Sequence, residues 1–147
     1  MARRVRPGRQ ACLAAAAAML LAGCQATPSP DVIDESRADS SAPDDFRNRA
    51  ALPLCPDVIL DQGKQLGPEA IACLERGYAG NGAELAVASP TVEGDMVVRH
   101  VRVTRHGPSL QIYHDATRDK FGSGEWTAAS CPLPQGQDSI AACLGVA

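Results

Sequence analysis

The sequence predicts an α+β domain in which one short helix packs on a four-stranded antiparallel meander and disulfides staple the whole. Three observations carry this prediction. Gly67-Pro68-Glu69 is a helix-start signal, and apolar residues follow it at helical spacing. From Glu84 onward the apolar period changes to two. Four cysteines, Cys55, Cys73, Cys131 and Cys143, lie in the same C-terminal part of the chain.

The N-terminus reads as an address. Arg3, Arg4, Arg6 and Arg9 precede an almost wholly apolar run over residues 11–22, which Leu21-Ala22-Gly23-Cys24 closes before a polar, proline-rich stretch. Basic start, apolar middle and small-residue end are the layout of a secretory signal. As a helix the run would extend roughly 18 Å, short of the roughly 20 residues that cross a bilayer. The four closing residues resemble the lipobox of bacterial lipoproteins. The resemblance implies that residues 1–23 are a signal peptide, removed together with Cys12. It implies that Cys24 becomes the first mature residue, with diacylglycerol on its thiol and an acyl chain on its amino group. At about 0.8 kcal/mol per buried methylene, more than one chain anchors stably. The expected location is the extracytoplasmic side of the cell membrane or the outer membrane, and Gln25 after the cysteine favours the latter in a Gram-negative cell.

Without residues 1–23 the chain has 124 residues, room for one core. Ten basic and 17 acidic residues remain, a net charge of −7. That sign is repelled by nucleic-acid phosphate and by anionic lipid, so no nucleic-acid partner is expected and the lipid chains must supply the membrane attachment. Two Phe, two Tyr and one Trp leave few rings for stacking sugars or bases. Residues 24–50 hold the lipidated cysteine and a segment rich in Pro, Ser and acids, with only Val32, Ile33 and Phe46 as sizeable apolar side chains. Such composition predicts a disordered tether. Its random-coil reach of about 28 Å would hold a domain over residues 51–147 clear of the headgroups.

An even number of cysteines in an exported domain reads as disulfides, with more than one pairing open. The favoured pairing is Cys55 with Cys73 and Cys131 with Cys143, since each pair begins with Cys-Pro and ends in Ala-Cys-Leu, which suits a helix. Loops of this size contribute about 3 kcal/mol each. A four-cysteine zinc site is the alternative, but no Cys-x-x-Cys occurs. The helix begins at Pro68, places Ile71, Leu74 and Tyr78 on one stripe, and meets stop signals at Gly77 and Gly80.

Strands are predicted over residues 84–89, 96–105, 110–115 and 125–130. A two-residue Gly107-Pro108 turn would join the second and third strands. Val103 then opposes Ile112 and Val101 opposes His114 on the buried face. Thr104 opposes Gln111, Arg102 opposes Tyr113 and His100 opposes Asp115 on the other face. This register brings the loop Thr91-Val92-Glu93-Gly94-Asp95 to the same end of the sheet as the loop from Asp115 to Gly122. Those two clusters, Thr91-Val92-Glu93-Gly94-Asp95 and Asp115-x-x-x-Asp119-Lys120-Phe121-Gly122 followed by a cysteine, resemble a family of uncharacterised lipoproteins, mainly of Gram-positive bacteria, that share a domain of unknown function. The resemblance covers roughly residues 57–131 and departs from the pattern at Met96, where proline is expected. It implies an envelope lipoprotein with a small α+β domain and carries over no catalytic residue.

Two convergent acidic loops suggest a calcium-like site formed by Glu93, Asp95, Asp115 and Asp119. The simpler account is that Arg118 and Lys120 neutralise these acids while the Asp side chains cap their own turns. His100, His106 and His114 cannot converge on one metal in this register. His100 with Asp115 has no serine or cysteine among its same-face neighbours, so a cross-strand charge pair is expected rather than a catalytic one. The sequence therefore predicts a non-catalytic, membrane-anchored lipoprotein that displays a domain to a protein or other cell-surface partner. The exposed sheet face or the charged loops would make the contact, and no cofactor is required. The alternative is a divalent-cation module, and a small hydrolase ranks last.

Overall fold

A computed structural model describes residues 31–145, so the expected signal peptide over residues 1–23 and the expected lipidation at Cys24 lie outside the described residues. Two short helices come first, α1 (Asp31–Arg37) and α2 (Asp44–Arg47), before the two-residue strand β1 (Val58–Ile59) and helix α3 (Pro68–Ala79). Strands β2 (Ala83–Pro90), β3 (Met96–Val103), β4 (Ser109–Asp115) and β5 (Trp126–Pro132) follow. A 3₁₀ turn (Gly136–Ser139) and a last turn of helix, α4 (Ile140–Cys143), end the described chain.

The α+β class holds, with one strand more than expected. The sheet runs in the order β1-β2-β3-β4-β5. The last four strands form the predicted meander, and β1 adds to β2 in parallel, pairing Val58 with Val87 and Ile59 with Ala88. A two-residue strand carries no alternation to read.

The buried face of the hairpin contains the expected residues, but the register differs by two. Val101 pairs with Ile112 and His100 with Tyr113, because the connection spans Thr104–Pro108 rather than two residues. A shift of two leaves every side chain on its own face, so alternation could not detect it. Gly107 N–H closes this turn on the Thr104 carbonyl at 3.0 Å, and His106 takes the left-handed position at φ 47°.

Helix α3 covers one face of the sheet, burying Leu74 with Leu85, Val87, Val101, Val103 and Leu110. The helix runs through Gly77, which the sequence marks as a stop signal. Gly77 is instead a close-packing site, since a Cβ there would lie 2.3 Å from the Cβ of Ala83. Disulfides Cys55–Cys73 and Cys131–Cys143 fasten the segment before α3 to the helix and β5 to α4, in the pairing the sequence favours.

The other face holds the main correction. Residues 31–50 do not form a disordered tether; α1 and α2 lie across the sheet. Val32 and Ile33 pack on Ala86, Ala88 and Val98, and Phe46 packs with Tyr113 and Trp126. Three large apolar side chains in an acidic segment are too few to order it on composition alone. All three meet apolar partners on one sheet face, Val32 and Ile33 over Ala86, Ala88 and Val98 and Phe46 over Tyr113 and Trp126, so a little surface on each side completes the interface. The sheet face expected to meet a partner is therefore covered.

Candidate functional site

The end of the sheet where the β2–β3 and β4–β5 loops meet is built from the two clusters singled out above. The first loop is a tight turn: Thr91 N–H donates to the Asp95 carbonyl at 2.8 Å and Gly94 N–H to the Thr91 carbonyl at 3.0 Å. Gly94 sits at φ 92°, a conformation that favours glycine. In the second loop Asp115 Oδ1 accepts from the Thr117 N–H and hydroxyl at 3.0 and 2.6 Å, and Asp119 Oδ1 accepts from the N–H groups of Phe121 and Gly122 at 3.0 and 2.9 Å. The loops are joined through Asp95, whose two oxygens take the Lys120 N–H at 3.1 Å and the Lys120 Nζ at 2.9 Å. The Lys120 ammonium, aided by its N–H, holds the Asp95 carboxyl below the usual carboxylate range.

The expected meeting of the loops is thus present, while the four proposed metal ligands each have separate surroundings. Asp95 is engaged by Lys120. Asp115 is buried with Arg118 Nη1 at 3.6 Å, Asp119 caps its own turn, and Glu93 is exposed. Among the described residues no three His, Cys, Asp or Glu side chains gather as a metal site.

Helix α1 supplies a third wall that the sequence reading missed. Asp31, Val32 and Glu35 face Asp95, Arg118 and Lys120 across an open cleft of about 610 Å³. Arg118 Nη2 reaches Glu35 at 2.6 Å, tying α1 to the second loop. The outer tips of the two loops carry the most exposed large apolar residues among those described, Val92 at 84% and Phe121 at 75%.

Beneath α1 and α2 lies a buried polar layer. Glu84 bridges Arg49 and Arg102, accepting from Arg49 Nε and Nη2 and from Arg102 Nε, all at 2.9 Å. Burial pushes the Glu84 carboxyl up, but the Arg49 hydrogen bond and both guanidinium charges outweigh it and leave the group below its ordinary range. Arg102 also donates to the Ala50 carbonyl and, at 3.4 Å, to Gln111. Arg49 lies over the Phe46 ring at 3.6 Å in a cation–π contact, while Arg102 pairs with Gln111 and not with Tyr113 as the predicted register has it.

His100 does not face Asp115, which pairs with Val98. Its Nε2 shares a 3.0 Å hydrogen bond with Ser36 Oγ, and its ring lies 4.7 Å from that of Phe46. Desolvation pulls the imidazole pKa down to about 4. A hydroxyl beside a neutral imidazole is the core of a nucleophile and base pair, and the sequence carries no sign of it because Ser36 lies in the segment whose composition predicts a tether. Both residues are 0% exposed, and His100 Nδ1 has no hydrogen-bond partner to orient it among the described residues. The pair cannot touch a substrate in this fold. It joins α1 to the sheet. His106 stacks edge-on against Tyr78, and His114 is half-buried beside Arg99 on the α3 face, so the three histidines do not converge.

No family model matches the chain, and neither the curated proteins nor the solved structures contain a significant match.

Proposed function

We propose that this chain is an exported lipoprotein, anchored through lipid on Cys24, that displays a small non-catalytic binding domain on the extracytoplasmic side of a bacterial membrane. The observation that carries the reading is the pairing of every cysteine after Cys24 in a disulfide, Cys55–Cys73 and Cys131–Cys143. Structural disulfides belong to oxidising compartments, in agreement with an export signal that ends in Leu21-Ala22-Gly23-Cys24. A binding role rather than catalysis is supported by where the polar groups lie. The hydroxyl–imidazole pair is sealed, and Glu35 and Asp95 of the open cleft are tied to Arg118 and Lys120. The surfaces open to a protein or cell-surface partner are the cleft end, the Thr104–Pro108 turn and the outer edge of β5, exposed over residues 127–130.

The intact mass of the protein extracted from membranes of the expressing bacterium tests the anchor. The expected mass is that of residues 24–147 plus diacylglycerol and one acyl chain, and Cys24→Ser should yield only unlipidated protein. An unmodified Cys24 in membrane-extracted protein would overturn the reading. Cross-linking of the displayed domain in intact cells tests the binding role, which fails if no cross-link is lost when the domain surface is altered.

A further inference from the structure

The anchor and the folded domain are close together in the chain. Six residues lie between Cys24 and Asp31, the first residue of α1, and the seven steps from one to the other span at most about 25 Å when fully extended. An eight-residue strand such as β3 is about 27 Å long. The point of attachment is also not neutral with respect to the sheet. Asp31 and Val32 line the cleft with Gly94, Asp95 and Lys120, so the chain enters the domain at the end that carries the two loops. The Thr104–Pro108 turn lies one strand length away, at the opposite end. A lipid on Cys24 therefore keeps the loop end within about 25 Å of the bilayer, whereas the Thr104–Pro108 turn can stand a further strand length away.

That same end presents Val92 and Phe121 on adjoining loops joined by Asp95 and Lys120. Lone exposed apolar residues are ordinary on a protein surface, but these two have higher exposure than any other large apolar residue described, and both belong to the loops that line the cleft with Asp31. Lys120 follows the same pattern: its side chain is 77% exposed, next to Phe121, with an aliphatic stem that can lie along acyl chains while the ammonium stays among headgroups.

We propose that this end of the sheet rests on the lipid bilayer, with Val92 and Phe121 inserted at the boundary between headgroups and acyl chains. The proposal rests on the lipid-anchor reading of Cys24 and adds an orientation to it. Docking here fixes the domain upright, turns the cleft towards the membrane surface, and leaves the β5 edge and the Thr104–Pro108 turn facing outward for a partner. Apolar insertion needs no anionic lipid, consistent with the net charge of −7 after Gly23.

The test uses the full-length lipidated protein in vesicles of phosphatidylcholine brominated on its acyl chains. Trp126 is the one native tryptophan, and its emission in the unaltered protein sets the baseline. Phe121→Trp and Arg105→Trp, both at exposed positions, add a reporter at either end of the sheet. The expected result is loss of most of the added emission at position 121 and none at position 105. Docking is overturned if position 121 is not quenched, or if both positions are quenched alike, on protein whose mass shows a lipidated Cys24. A mass showing no lipid on Cys24 overturns the anchor and the docking together, which separates the two failures.

Discussion

His100 shows how a single residue changes meaning with its surroundings. In an alternating strand it reads as a solvent-facing partner of Asp115, yet the fold places it under Phe46 and against Ser36, where burial holds it neutral with a pKa of about 4. An unfolded chain protonates the same imidazole near 6.5. Because the folded value is the lower one, the unfolded state binds more protons between the two, and stability falls as pH drops. The contribution is fully present above about pH 6.5 and lost as pH falls through about 4, a change of about 3 kcal/mol. Urea unfolding at steps across that window should show the slope, and His100→Gln should flatten it. Gly77 is a second residue whose role depends on a neighbour distant in sequence. Gly77→Ala would improve helix propensity in isolation, but its Cβ would collide with Ala83, so a net loss of about 1–3 kcal/mol is expected in the same assay.

At the scale of elements, the strands were legible and the N-terminal helices were not. Residues 84–89, 96–105, 110–115 and 125–130 lie within two residues of β2 to β5, because alternation over half-buried strands is a strong local signal. Helices α1 and α2 are seven and four residues long, too short to be stable alone, so their order comes from the sheet beneath. A signal was present in β2, where Leu85 and Val87 alternate with Ala86 and Ala88; a strand apolar on both faces must be covered on both. The cover should be indispensable. Phe46 alone would cost about 3–5 kcal/mol if removed, against a total stability of about 5–15 kcal/mol. A chain of residues 51–147 also leaves Glu84 without Arg49. We expect that chain to lack a cooperative thermal transition by circular dichroism, whereas residues 31–147 show one. Equal melting of the two would mean that α1 and α2 are accessories.

At the scale of the molecule, the sheet is held between two covers of different chemistry: α3 over an aliphatic core, and α1 with α2 over a layer that includes Glu84, His100 and Arg102. The disulfides reinforce only the first cover. Replacing Cys131 and Cys143 by serine should cost about 3 kcal/mol, and hydrogen exchange should show the loss concentrated in the 3₁₀ turn and α4, which the bridge ties to β5. The sequence by itself determined the α+β class, the meander, the favoured cysteine pairing and the convergence of the two charged loops. Each of these follows from short-range periodicity, from turn residues or from the cysteine contexts. Tertiary structure alone decided that residues 31–50 fold, that the second sheet face is buried, and that Ser36 meets His100. It also set the hairpin register two residues away from the predicted one. Those features depend on contacts between residues distant in sequence, which leave little local pattern, and on a shift that preserves the alternation from which strands are read.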